Sequence, residues 1–173
     1  MDSNLASLAA ANAAFVGSHF VLSHPLRAGL VRALGEKGFL GLYSLVSFAT
    51  LGWVAIAFRA VGPGGAMLWN GQADAPWIVA SGLTIVALAL VLAANKGNPA
   101  LPGMSAEMAA QARPEGAFAV TRHPMMWGFA LWALAHGIVA PNARTGITAG
   151  AMAVRALGGA RLQDAKKARL MGP

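Results

Sequence analysis

No cysteine occurs in the 173 residues, which removes disulfides, thiolate zinc sites, iron–sulfur clusters and a cysteine nucleophile together. Charge is nearly as scarce, at 11% of the chain, and no polar stretch is long enough for a separate soluble domain. Basic residues are missing from the amino-terminal Met1-Asp2-Ser3-Asn4, unlike the start of a cleaved secretory signal. The first apolar run is therefore expected to be kept as a helix.

What the chain has instead is apolar length. Hydrophobic residues make up 57% of it, in tracts that recur from end to end, the profile of a small integral membrane protein. A spanning helix needs about 20 mostly apolar residues. Candidate spans cover 5–24, closed by Pro25; 38–61, closed by Gly62-Pro63-Gly64-Gly65; 76–95; 124–141; and a weaker, Ala/Gly-rich 145–160 that carries Arg155. The expected fold is an all-α integral membrane protein, one domain over 1–173 with a bundle of about five transmembrane helices. A short basic amphipathic piece, 26–37, separates the first two spans. Trp69 and Trp77 lie in the second connection, where tryptophan suits the headgroup level. The longest polar connection, 96–122, holds three prolines and one expected helical turn at 106–112.

The net charge of +7 is spread over these connections and not striped along a soluble face, so it points to lipid-bilayer topology and not to nucleic acid. Five spans place Arg27, Arg32, Lys37, Lys96, Arg113, Arg122, Arg161, Lys166, Lys167 and Arg169 on one side, and Arg59 and Arg144 on the other. The positive-inside bias makes the first side cytoplasmic, with the carboxyl terminus there and the amino terminus outside. Arg155 remains within the fifth span, where snorkelling to the interface is the favoured reading over a pairing with an acidic ligand group.

The chemistry rests on four histidines. His19 and His24, at about 100° per residue, point about 140° apart; His123 and His136 are about 20 Å apart along a helix. His123 is expected at the cytoplasmic interface, His136 deep in its span, and His19 several ångströms nearer the cytoplasm than His136. Imidazoles inside a membrane are either hydrogen-bonded glue between helices or functional. Neutral imidazole is also a common haem ligand, so His19 and His136, on two helices, are candidates for bis-histidine ligation. Met125 and Met126 are read as packing. Trp127 and Trp132 are five apart and do not share a face; one suits the wall of a ring-shaped ligand, the other lipid. The small residues of the fifth span suggest close helix approach or a homo-oligomer contact.

Arg122-His123-Pro124 with Gly128, then Ala130-Leu131-Trp132 and Ala135-His136, together with His19 before Leu22 and Leu26-Arg27, and Leu68-Trp69, resembles the NnrU family, which includes plant zeta-carotene isomerase. The run Gly17-Ser18-His19-Phe20-Val21-Leu22-Ser23-His24-Pro25-Leu26-Arg27, followed by Gly38-Phe39 and Leu42-Tyr43-Ser44-Leu45, is similar to the bacterial NnrU branch. The resemblance covers nearly the whole chain. It implies a polytopic protein of the bacterial inner membrane and, from the isomerase branch, haem b with iron ligands at His19 and His136 and a supporting role for His123. Arg122 and Trp132 complete the implied cofactor-binding set. The isomerase branch has a cysteine at the position of Ala133, so a mechanism using that thiolate is not expected here. The bacterial branch implies a link to denitrification, as a redox-responsive or nitric-oxide-responsive component. The alternatives are a haem-dependent cis–trans isomerase acting on a polyene, and a small membrane methyltransferase, which Arg122-His123-Pro124 with Gly128 also resembles. The paired glutamates and aromatic tail usual in those methyltransferases are missing after Arg144.

Overall fold

A computed structural model describes residues 2–95 and 115–171, the last six of these by backbone alone. Its elements are α1 (Ser3–Ser23), α2 (Arg27–Ala60), α3 (Asp74–Ala93), the single turn α4 (Ala117–Val120), α5 (Pro124–Val139) and α6 (Ala143–Met171). No strand occurs among the described residues. The expected turn at 106–112 lies outside them.

Local chemistry sets the boundaries. Asp2 caps α1 by accepting from the Asn4 amide at 3.0 Å, and Pro25 follows its last turn. Pro124 opens α5 at the first helical position, where a missing N–H costs nothing. Within α2 the backbone breaks at Gly35, with φ 71° and ψ 167°, a conformation that glycine adopts readily. The basic piece and the second span are thus separate helical segments, divided at Gly35. The fifth span was expected to end near 160, but α6 continues to Met171. Its cationic end is a helical extension in which every residue but Asp164 is a good helix former.

Three helices, α1, α2 and α3, are long and apolar enough to cross a membrane. At 16 residues, α5 is about 24 Å long, short of a hydrocarbon core of about 30 Å. The burial pattern is that of a protein in lipid. Alanines such as Ala11, Ala57, Ala87, Ala133 and Ala135 fill the interior, whereas Phe48, Ile56, Ile78 and Ile85 are at least 70% exposed. So much outward-facing apolar surface would drive aggregation in water; hydrocarbon tails cover it without penalty.

The helices pack principally in the order α2, α1, α6, α5, α3. Two contacts show that α1 and α6 run parallel. Ile147 packs on the cluster of Leu8, Ala11, Val54 and Ala57, and Gly158 abuts the Phe20 ring, 3.0 Å from where a Cβ would stand. Between α3 and α5 the approach is closer still, since a Cβ on Gly128 would lie 2.6 Å from Val91 Cγ2 and 2.8 Å from the Ala87 carbonyl oxygen. Small residues at such a crossing let dispersion replace the hydrophobic driving force that lipid removes.

Candidate functional site

His19 stands on the buried flank of α1, facing α2. Its Nδ1 lies 2.7 Å from the Phe15 carbonyl oxygen. A carbonyl only accepts, so Nδ1 carries the proton and Nε2 a lone pair. Nε2 faces Ser47 Oγ at 3.4 Å, but that hydroxyl donates its single proton to the Tyr43 carbonyl at 2.7 Å. The Phe15 and Tyr43 rings pack against the imidazole, with centroids at 4.4 Å and 5.4 Å. The result is a buried imidazole whose Nε2 lone pair is poorly satisfied.

His136 repeats the arrangement on α5. Its Nδ1 lies 2.9 Å from the Trp132 carbonyl oxygen, and its ring rests on the Trp132 indole, 3.9 Å between centroids. Among the described residues its Nε2 has no hydrogen-bond partner. Pinning Nδ1 to a carbonyl is the outer-shell arrangement usual for ligating imidazoles, because it fixes both tautomer and ring orientation.

The two imidazoles do not share a location. Both α1 and α5 pack on α6, and α1 has no principal contact with α5. His136, expected deep in its span, sits three residues before the end of α5, on an exposed flank. His19 sits four residues before the opposite end of the bundle, where α1 stops at Ser23. The separation in depth expected between them is therefore present, and larger than several ångströms. His24 stands at the carboxyl-terminal cap position of α1, five residues after His19. No cluster of three or more His, Asp or Glu side chains suited to a metal ion occurs among the described residues.

His123 caps α5 at the end where His19 lies. Its Nε2 is 2.8 Å from Asp164 Oδ1 on α6, with 9% of its side chain exposed against 44% for Asp164. This pair opens onto a cleft of about 380 Å³, lined by Arg122, His123, Trp127, Leu157, Arg161 and Asp164 among others. Trp127 thus walls the cleft, while Trp132 backs His136. Arg155 lies with its guanidinium 5.9 Å from the Phe20 ring centroid and its Nη1 beside Gly159, so the side chain reaches toward the Asp164 end of α6, the expected snorkelling direction.

The opposite end is closed by the connection 61–73. Trp69 Nε1 donates to the Ile138 carbonyl at 2.9 Å, and Gln72 Nε2 to the Val139 carbonyl at 2.8 Å, satisfying acceptors left open at the end of α5. The Arg144 guanidinium lies 4.3 Å from the Phe58 centroid and donates to the Gly62 carbonyl.

Sequence reasoning missed Ser47, Tyr43, Arg161 and Asp164. The lone acid among the bases of 161–173 was the available signal for Asp164, but its partner is 41 positions away.

No curated protein and no solved structure matches the chain. A family model described as NnrU protein does match, over residues 7–172. That range holds the histidine-bearing helices and every element of the bundle, and on it the chain belongs to the NnrU family.

Proposed function

We propose that this NnrU-family membrane protein binds haem b through imidazole, with His19 and His136 as the iron-ligating residues, and serves nitrogen-oxide metabolism as a redox-responsive or nitric-oxide-responsive component. The observation that carries the reading is the shared state of the two imidazoles. In each, Nδ1 is held by the carbonyl four residues earlier, and Nε2 keeps its lone pair. Donor chemistry fits a haem at each histidine taken singly. A common iron would also need α1 and α5 to meet at one depth, and here each lies against α6. Trp132 offers a flat apolar wall beside His136, and Arg122 with His123 stands at the other end of α5. When bound, haem would supply reversible one-electron chemistry and a diatomic-gas site.

Ala133 is buried in α5, and an alanine offers no thiolate there. This weighs against the isomerase alternative in its cysteine-dependent form.

The test is an absorption spectrum of protein purified after expression with ample haem. A Soret band and, on reduction, the visible bands of haem b are expected, and His19→Ala and His136→Ala should each lower the haem content. Haem-to-protein stoichiometry in the variants distinguishes one shared iron from two separate sites. A colourless preparation would reject the proposal.

A further inference from the structure

The cleft at the start of α5 is a charged cavity that contains neither iron-ligand candidate, His19 nor His136. Arg122 lines it from the connection before α5 and Arg161 from α6, and neither is in an ion pair among the described residues. Its acid, Asp164, is already engaged by His123 Nε2 at 2.8 Å, so its repulsion of an incoming anion is partly offset. The first turn of α5 adds amide donors that no side chain caps. Below the charges the wall is apolar. Trp127 is 47% exposed and Leu157 39%, on helices whose other outward residues suit hydrocarbon. A cation pair above an exposed indole and leucine matches an amphiphile with an anionic head and an acyl root, at the depth where headgroups lie.

We infer that the cleft formed by Arg122, His123, Trp127, Leu157, Arg161 and Asp164 binds a phosphate ester at the membrane surface, held by the two guanidiniums with its apolar part against Trp127 and Leu157. Arginine presents paired donors that match phosphate oxygens. The site takes one ligand per protein, unlike the diffuse attraction of a basic loop for an acidic leaflet. The inference goes beyond haem binding and does not depend on it.

The experiment uses the full chain in nanodiscs of phosphatidylcholine with and without phosphatidylglycerol, reading co-purified lipid by native mass spectrometry and Trp fluorescence quenching by brominated phosphatidylglycerol. One retained phosphatidylglycerol per protein is expected. With each basic residue near an anionic surface worth about 1 kcal/mol, Arg122→Ala with Arg161→Ala should lower retention about thirtyfold. Arg59→Ala, at the opposite end, should retain it. The charge-keeping pair Arg122→Lys with Arg161→Lys should hold the fold and the charge but retain less than wild type, because lysine lacks the paired donors; full retention by the lysine pair would mean diffuse charge attraction and would overturn the site. A soluble source is read in the same preparations: stabilisation by glycerol 3-phosphate without any lipid preference, absent in the alanine pair, would support the phosphate-ester site and assign it to a water-soluble ligand. Equal retention by wild type and the folded alanine pair, or no response to either ligand, would overturn the inference.

Discussion

The two ends of the bundle are held by different physics. At the end formed by 61–73 and the α5–α6 turn, uncharged donors from Trp69 and Gln72 meet backbone carbonyls. Asn142 there accepts from the Thr145 amide at 3.0 Å, and Arg144 is laid over Phe58. At the other end the ties use charged side chains and are partly exposed, Arg27 paired with Glu36 at 2.6 Å and the Asp164 carboxylate against His123 Nε2 at 2.8 Å. Hydrogen bonds between neutral groups stabilise whatever the salt concentration, whereas an exposed ion pair such as Arg27 with Glu36 contributes little and is screened. One end is thus built to stay shut and the other to remain adaptable, and the adaptable end is where the charged cleft lies.

The most decisive way to break this contrast is to locate the ends. A reporter fused after Arg169 is expected to be active only as a cytoplasmic fusion, and one inserted at Asn70 only as a periplasmic one; the reverse pattern would exchange the two ends. Next is Gly71→Val. A Cβ at Gly71 would collide with the Val139 carbonyl, and overpacking there should cost about 3 kcal/mol, read as reduced resistance to denaturing detergent. Arg144→Leu keeps bulk but removes the donation to Gly62 and the contact with Phe58, and should cost about 1–2 kcal/mol in the same assay. Smallest is Asp164→Asn. It should shift stability by less than about 1 kcal/mol, and raising the salt concentration should erase the difference. If Asp164→Asn proved more damaging than Arg144→Leu, the assignment of rigid and adaptable ends would be inverted.

Where the sequence speaks locally it speaks clearly. Pro25 and Pro124 mark helix boundaries because a missing N–H and a fixed φ act on adjacent residues. The glycine-rich turn after α2 and the five apolar tracts are legible for the same reason. The continuation of α6 is hidden by charge, since polarity marks the end of an apolar tract although the residues themselves favour helix. What could not be read was partnership. Gly128 stands out in the motif, but its reason, the Ala87 backbone on α3, is a property of the crossing. His19 and His136 are conspicuous as imidazoles in apolar helices, yet nothing in their spacing reveals that Phe15 and Trp132 hold their Nδ1 atoms, or that α6 lies between their helices. Trp69 was expected at the headgroup level; its bond to Ile138 spans 69 positions and depends on where the loop settles.

The position of α6 between α1 and α5 has a consequence for biogenesis. The chain emerges from the ribosome in order, so the α1–α2 and α3–α5 helix pairs leave it before the last helix does. Each pair can bury its own small residues, but no helix packs on both until α6 arrives. The final helix therefore acts as a keystone, and the half-built protein is a pair of loosely tethered hairpins that quality-control proteases can recognise.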